Sequence, residues 1–466
     1  MNGFLNSGSS SFLDKMSSPL AVAIYLFVLI LAIIFLIIAA LRAAFSSRAR
    51  VISLVSKGTV APAQQPAAQQ PAATAAQPAV SAAAAPAKAV PTQRPAPGAP
   101  TAKRRGDQPR FSALAEIDRR MARYRAPVFD RSVSLASFCD ALRMYAADKQ
   151  KLYYGIDDIR SFVASLGVSR ILIMQGMSGT GKTSLASVFG NFVGHDSKII
   201  PIQPMWKERS DMIGYFNEFT DRFNEGELLQ QLYEASYSSE IYITVLDEMN
   251  IARVEYYFAD FLSLLELPDT KDRKLEVVSD KWPNDPVRLT DGKLIIPDNV
   301  WFIGTANNDD STFAISDKVY DRAMIINLDK KADPFVPEET PGVTISYQYF
   351  RLLVARALDE YALSRRTKRK LQALDEYMIE HFHITFGNRI KKQISQYVPL
   401  YIACGGEELD ALDDIFAKKV LRKLEAQNPI YVRNATEGLL SKLDELFGAD
   451  AMPICKAYLH KLQYSL

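Results

Sequence analysis

Cysteine and histidine are scarce in this chain, with 3 Cys and 4 His among 466 residues. Cys139, Cys404 and Cys455 stand too far apart for a short metal knuckle or a disulfide framework, which suits a reducing compartment. The four histidines form no cluster with metal-ligand spacing, and His381 and His383, flanking Phe382, read as packing or surface residues. Acidic residues are missing from one region in particular. Residues 1–110 hold 11 Lys and Arg against 2 Asp and Glu, whereas 111–466 hold 44 against 51, so the formal charge of +2 joins a basic arm to an acidic body. This balance argues against a uniformly basic protein that coats nucleic acid and leaves a local basic groove open.

Residues 20–41, LAVAIYLFVLILAIIFLIIAAL, carry no charge over 22 positions. At 1.5 Å per residue this is about 33 Å of helix, enough for the hydrocarbon core of a bilayer. A cleaved signal peptide has a shorter apolar core, so the length favours an uncleaved anchor at 19–42 behind a short N-terminal segment, 1–18. Arg42, Arg48, Arg50 and Lys57 follow with no acid until Asp107. The positive-inside rule then predicts an N-terminus outside and a cytoplasmic body.

Residues 43–110 read as a basic tether. From Ala61 to Pro100 there are 17 Ala, 9 Pro and 6 Gln among 40 residues, with no aromatic side chain from which to build a core. Lys103, Arg104, Arg105 and Arg110 stand at its end; contact with anionic membrane lipid and a merely solubilising role are both open.

Periodic structure resumes near Phe111, and 111–165 reads as a leading helical region with apolar positions at Leu135, Phe138, Leu142, Tyr145 and Leu152. The apolar strand Arg170–Met174 then runs into Gly176-Met177-Ser178-Gly179-Thr180-Gly181-Lys182-Thr183 and a helix-compatible stretch from Ser184. Strand, glycine-rich loop and helix in this order make a phosphate-binding loop. Its backbone amides converge on phosphate oxygens, Lys182 reaches the β- and γ-phosphates, and the Thr183 hydroxyl serves Mg²⁺.

A second apolar strand, Ile241–Leu246, ends in Asp247-Glu248, the first placed to hold Mg²⁺ and the second to polarise an attacking water. A third, Val300–Ile303, runs into Gly304-Thr-Ala-Asn307, whose amide can orient that water. Arg322 precedes a further strand candidate, Ala323–Leu328, where it can neutralise transition-state charge in its own subunit or a neighbour's. Beyond residue 345, apolar stripes predict mostly helices.

Taken together these residues resemble the AAA+ ATPases of the McrB-like, dynein-related and MoxR-related branch, over roughly residues 150–440. The run Leu246-Asp-Glu-Met-Asn-Ile-Ala-Arg-Val-Glu-Tyr-Tyr-Phe-Ala-Asp260 carries the nearest likeness, to McrB-type domains. The resemblance implies an α/β P-loop AAA+ core at 166–335 and an α-helical lid with C-terminal helices at 336–466. It makes Gly176–Thr183 the Walker A loop, Asp247 and Glu248 the Walker B pair, Asn307 sensor 1, Arg322 a trans-acting arginine finger and Arg389, after Gly387-Asn388, a sensor-2 residue; Arg253 also faces a neighbour. Asp285–Pro297 resembles the hairpin before sensor 1, and Met205–Tyr215 the segment before the helix-2 insertion.

The implied ligands are ATP and Mg²⁺, with GTP, the nucleotide of McrB proteins, as the alternative. The implied assembly is a homo-oligomeric ring, commonly a hexamer. With the anchor, the expected location is a bacterial inner membrane, crossed once, with the ATPase domain in the cytoplasm. A ring that remodels a partner protein, with one encoded nearby as the candidate, is the leading functional expectation. A nucleotide-switched membrane scaffold that recruits an effector and a nucleic-acid-associated motor are the alternatives. No methylated-DNA-reading domain or nuclease signature is evident, so restriction activity does not carry over.

Overall fold

The computed structural model describes residues 109–307, 312–329 and 331–465, all within the unit Pro97–Leu466. The expected anchor at 19–42, the tether up to residue 108 and the four residues after Asn307 lie outside the described residues. Among the described residues, no helix is long and apolar enough to cross a membrane.

Three helices lead in: α1 (Ala113–Met121), α2 (Leu135–Gln150) and α3 (Ile156–Val168). Ser134 starts α2 in a reciprocal capping box with Ser137. The start of α1 is held from far away, because the Glu225 carboxylate accepts the backbone N–H groups of Ser112, Ala113 and Leu114. Just before it, the buried Arg110 guanidinium donates twice to the Asp285 carboxylate and twice to Asp280, once to its carboxylate and once to its carbonyl, and lies 4.6 Å from the centre of the Trp282 ring.

The central sheet follows. It contains β1 (Ile171–Gln175), β2 (Lys198–Pro201), β5 (Tyr242–Asp247), β9 (Val300–Ala306) and β10 (Met324–Asn327), in the order β10-β1-β9-β5-β2 and parallel throughout. Continuous apolar runs suit strands covered on both faces. In β9, Trp301 and Ile303 enter the core shared with α2, α3, α4 (Lys182–Val193) and the C-terminal helices, while Val300 and Phe302 enter the one formed with α1 and α6 (Glu227–Ala235). The 241–246 and 300–303 strand expectations thus become β5 and the longer β9.

Between β2 and α6, the short helix α5 (Arg209–Ile213) leads into a hairpin of β3 (Gly214–Asn217) and β4 (Arg222–Glu225). Past β5 come α7 (Val254–Tyr257) and α8 (Ala259–Leu264), then a small antiparallel sheet of β6 (Lys274–Glu276), β7 (Leu289–Thr290) and β8 (Lys293–Ile295). The predicted hairpin at 285–297 is the β7–β8 part of that sheet. Helix α9 (Asp317–Tyr320) precedes β10.

Residues 331–346 form neither helix nor strand. The C-terminal region is then helical: α10 (Tyr347–Glu360), α11 (Arg365–Phe382), α12 (Gly387–Ala403), α13 (Glu408–Lys419), α14 (Pro429–Phe447) and α15 (Pro453–Ser465). Gly387, Asn388 and the sensor-2 candidate Arg389 form the first turn of α12. A buried polar network fastens this region to α3, with Tyr397 and Lys418 donating to Ser161 at 2.9 and 3.0 Å and Lys418 paired with Asp414 at 2.5 Å. All three cysteines are buried and free.

Candidate active site

Parallel pairing in register sets the site. Gln175, the last residue of β1, lies opposite Asn327 of β10 and Ala306 of β9, and Pro201 of β2 lies opposite Asp247 of β5. The C-terminal ends of all five strands therefore share one edge, where open α/β sheets present their chemistry.

The glycine loop connects β1 to α4. Gly176 has φ +144°, and a β-carbon there would stand 2.4 Å from the Leu328 carbonyl oxygen, so only glycine lets the loop pass the end of β10. Gly181, at φ 92°, begins α4 without any side-chain cap. The first-turn amides of this twelve-residue helix thus have no side-chain cap, an arrangement that can accept an anion. Met177, Ser178 and Gly179 are exposed along the loop, Ser184 is half-buried in the first turn, and Thr180 turns inward to donate to the Met177 carbonyl at 2.9 Å. Lys182 is buried, with Nζ 3.0 and 2.8 Å from the carbonyls of Gly176 and Met177.

Thr183 Oγ1 donates to Asp247 Oδ1 at 2.7 Å, bringing the loop to the end of β5. Thr305 of β9 donates to the same oxygen at 2.9 Å, and its hydroxyl accepts the Glu248 N–H at 2.9 Å. Glu248 is exposed and has φ 53°, a left-handed conformation uncommon outside glycine. A hydroxyl and a carboxylate within one hydrogen bond, both oxygen donors, suit a hard cation such as Mg²⁺. The uncapped helix, the glycine cradle and this pair together fit a nucleoside triphosphate with its metal.

Asn307 follows β9, and its carbonyl accepts from Asn250 Nδ2 at 2.8 Å. Asn307, Asn250 and Gly176 line one cavity of about 1030 Å³, bounded on its other side by Lys418, Arg422 and Tyr458 of the C-terminal region. Asn250 Oδ1 is buried there with no hydrogen-bond partner.

The arginines lie elsewhere, and none of Arg253, Arg322 and Arg389 lines that cavity. Arg322 and Arg389 instead meet on Glu266, just past α8, with guanidinium nitrogens 2.9 and 2.5 Å from its two oxygens. Arg253 is exposed, 5.0 Å from the centre of the Phe313 ring.

Sequence reasoning passed over four contributors. Thr305 and Asn250 lie within the Gly304–Asn307 and Leu246–Asp260 runs, where nothing local marks them apart from their neighbours. Tyr154, whose hydroxyl donates to the Gly181 carbonyl at 2.9 Å, and Glu266 carry no local signal at all. The Tyr154 hydroxyl is buried, which raises its pKa.

Residues 343–466 match the model of a family described as a domain of unknown function, DUF8727. No curated protein matches the chain. Solved structures similar to it include a candidate ATPase from Cytophaga hutchinsonii, 12% identical with a TM-score of 0.42, covering 71% of this chain and 96% of that one. Another is a full-length MCM homologue from Methanopyrus kandleri, 11% identical with a TM-score of 0.35, covering 66% of this chain and 61% of that one. Likenesses this distant carry no part of the functional reading, which rests on the phosphate loop and the strand ends beside it.

Proposed function

We propose that this chain is an AAA+-type ATPase of the McrB-like, dynein-related and MoxR-related branch. It is anchored in a membrane by residues 19–42 and hydrolyses ATP at sites completed between copies in a homo-oligomeric ring, to remodel a partner protein. The observation that carries the reading is the Thr183–Asp247 hydrogen bond beside an uncapped helix start under a glycine loop.

In this reading, the loop amides from Gly176 to Ser184 and the Lys182 ammonium hold the phosphates in place. Thr183 and Asp247 hold Mg²⁺, which when bound offsets phosphate charge. Thr305 fixes Asp247 and the Glu248 backbone through one hydroxyl, setting the angle at which the Glu248 carboxylate meets an attacking water. Asn307, two residues beyond Thr305 and bonded through its carbonyl to Asn250, is the residue that orients the water in this reading. Arg322 serves the phosphates of a neighbouring copy and Arg389 is the sensor-2 residue of the C-terminal helices, the two gathered on Glu266. The apolar run at 20–41 and the Ala/Pro-rich tether support a body free to gather with others at a membrane.

The test uses the full chain in detergent or vesicles. Glu248→Gln is expected to keep ATP binding and lose hydrolysis by roughly a hundredfold or more, while Lys182→Ala loses both. Unchanged phosphate release from both variants would exclude the reading.

A further inference from the structure

The segment that carries Arg322 is gripped from the C-terminal helices. Lys419, the last residue of α13, is 3% exposed, and its Nζ donates to the carbonyls of Tyr320 and Ala323 at 2.6 and 2.5 Å. Those carbonyls bracket Arg322. The next turn adds Arg422, paired with Asp317 at 2.6 Å and 3.9 Å from the centre of the Tyr320 ring, and Lys423, 3.3 Å from Asp321. Gln393 of α12 donates to the Asp321 carbonyl at 3.1 Å.

Stability alone gives little reason for a lysine at this position. Among the described residues no carboxylate lies within 4 Å of Nζ to form an ion pair. Burial lowers the amine's pKa to about 7, and an apolar side chain of similar volume would escape the desolvation cost. What the lysine amine adds is two directed N–H bonds that fix the backbone on either side of one arginine. The helix end after Tyr320 leaves carbonyls in need of donors, and Lys419 supplies them from another part of the fold.

We infer that Lys419 is a positioning residue for Arg322: it locks the arginine-bearing turn to α13, so that this turn and the C-terminal helices present the arginine to a neighbouring copy's nucleotide as one rigid piece. The inference rests on the proposed reading of Arg322 as acting across subunits. Lys419 touches neither nucleotide nor metal in it.

Mixed assemblies of full-length chains separate the two ideas. A Glu248→Gln chain has a dead site of its own and an intact Arg322, whereas an Arg322→Ala chain has the reverse. Mixed in equal amounts, two inactive variants are expected to regain activity at about a quarter of head-to-tail interfaces. Adding Lys419→Met to the Glu248→Gln chain, which donates the arginine, is expected to cut the regained kcat roughly tenfold or more with KM for ATP unchanged. Adding it to the Arg322→Ala chain is expected to leave the regained rate within about twofold. Gln393→Ala on the donor side is expected to give a smaller loss in the same direction.

No regained activity from the two parent variants overturns the cross-subunit reading of Arg322, and this inference with it. Regained activity that survives donor-side Lys419→Met overturns the role of Lys419 alone. Equal loss from both sides marks Lys419 as a general packing residue and overturns it as well.

Discussion

Thr183 and Asp247, 64 residues apart in sequence, are joined by a 2.7 Å hydrogen bond from hydroxyl to carboxylate. The bond brings two oxygen groups to one point at the start of α4 and the end of β5. Thr183→Val keeps the shape and removes the hydroxyl. Its expected effect is to raise the Mg²⁺ concentration for half-maximal hydrolysis by roughly tenfold or more, with little change in metal-free nucleotide binding. A magnesium titration of phosphate release checks it, and an unchanged midpoint would refute the pairing as a metal site.

Gly176→Ala tests the loop itself. The added methyl would meet the Leu328 carbonyl at 2.4 Å, in a backbone conformation that disfavours any side chain. The loop must then shift away from β10, and ATP affinity is expected to fall roughly tenfold or more, since such strain is worth about 1–3 kcal/mol. Equilibrium binding of a fluorescent ATP analogue measures it; wild-type affinity would show that the loop tolerates displacement.

Arg110 tests how the start of the body is fastened. Its guanidinium and the Asp285 carboxylate are 2% and 5% exposed, so Arg110→Ala leaves a buried carboxylate without its cation. A loss of about 3 kcal/mol or more is expected, seen as a melting midpoint lowered by several degrees. Arg110→Lys is expected to recover little, because one ammonium cannot reproduce the fork to Asp285 while also reaching Asp280. Full stability of the lysine variant would count against that geometry.

Asp158 sets a pH dependence. Burial is the largest cause pushing its pKa up to about 6 from 3.8. The folded chain therefore binds the proton more tightly than the unfolded chain, and stability falls as pH rises through roughly 4 to 6. The shift corresponds to at most about 3 kcal/mol. Asp158→Asn lacks the titration, so its melting midpoint is expected to match wild type near pH 4 and to exceed it at pH 7. A constant difference across that range would show that Asp158 does not titrate in this window.

The glycine loop between β1 and α4 was legible because its geometry is local. Glycines at fixed spacing, a lysine and a threonine need only a strand before and a helix after, and β1 and α4 supply them. The acidic strand end of β5 was legible for the same reason. Strand positions in β1, β5 and β9 followed from unbroken apolar runs, since a strand covered on both faces has no polar side to show. The β3–β4 hairpin was less legible, as its short strands carry Asn, Glu and Arg and little alternation.

By itself, then, the sequence determined the α/β class of core, the glycine loop between β1 and α4, the acidic end of β5 and an apolar run long enough for a membrane, all set by backbone conformation and local hydrophobicity within a few residues. Tertiary structure alone decided which distant groups meet: Glu225 on the start of α1, Thr305 on Asp247, Glu266 between Arg322 and Arg389, and Lys419 under the turn that carries Arg322. Those meetings depend on how strands pair in register and how helices pack across the sheet, and no spacing along the chain encodes them.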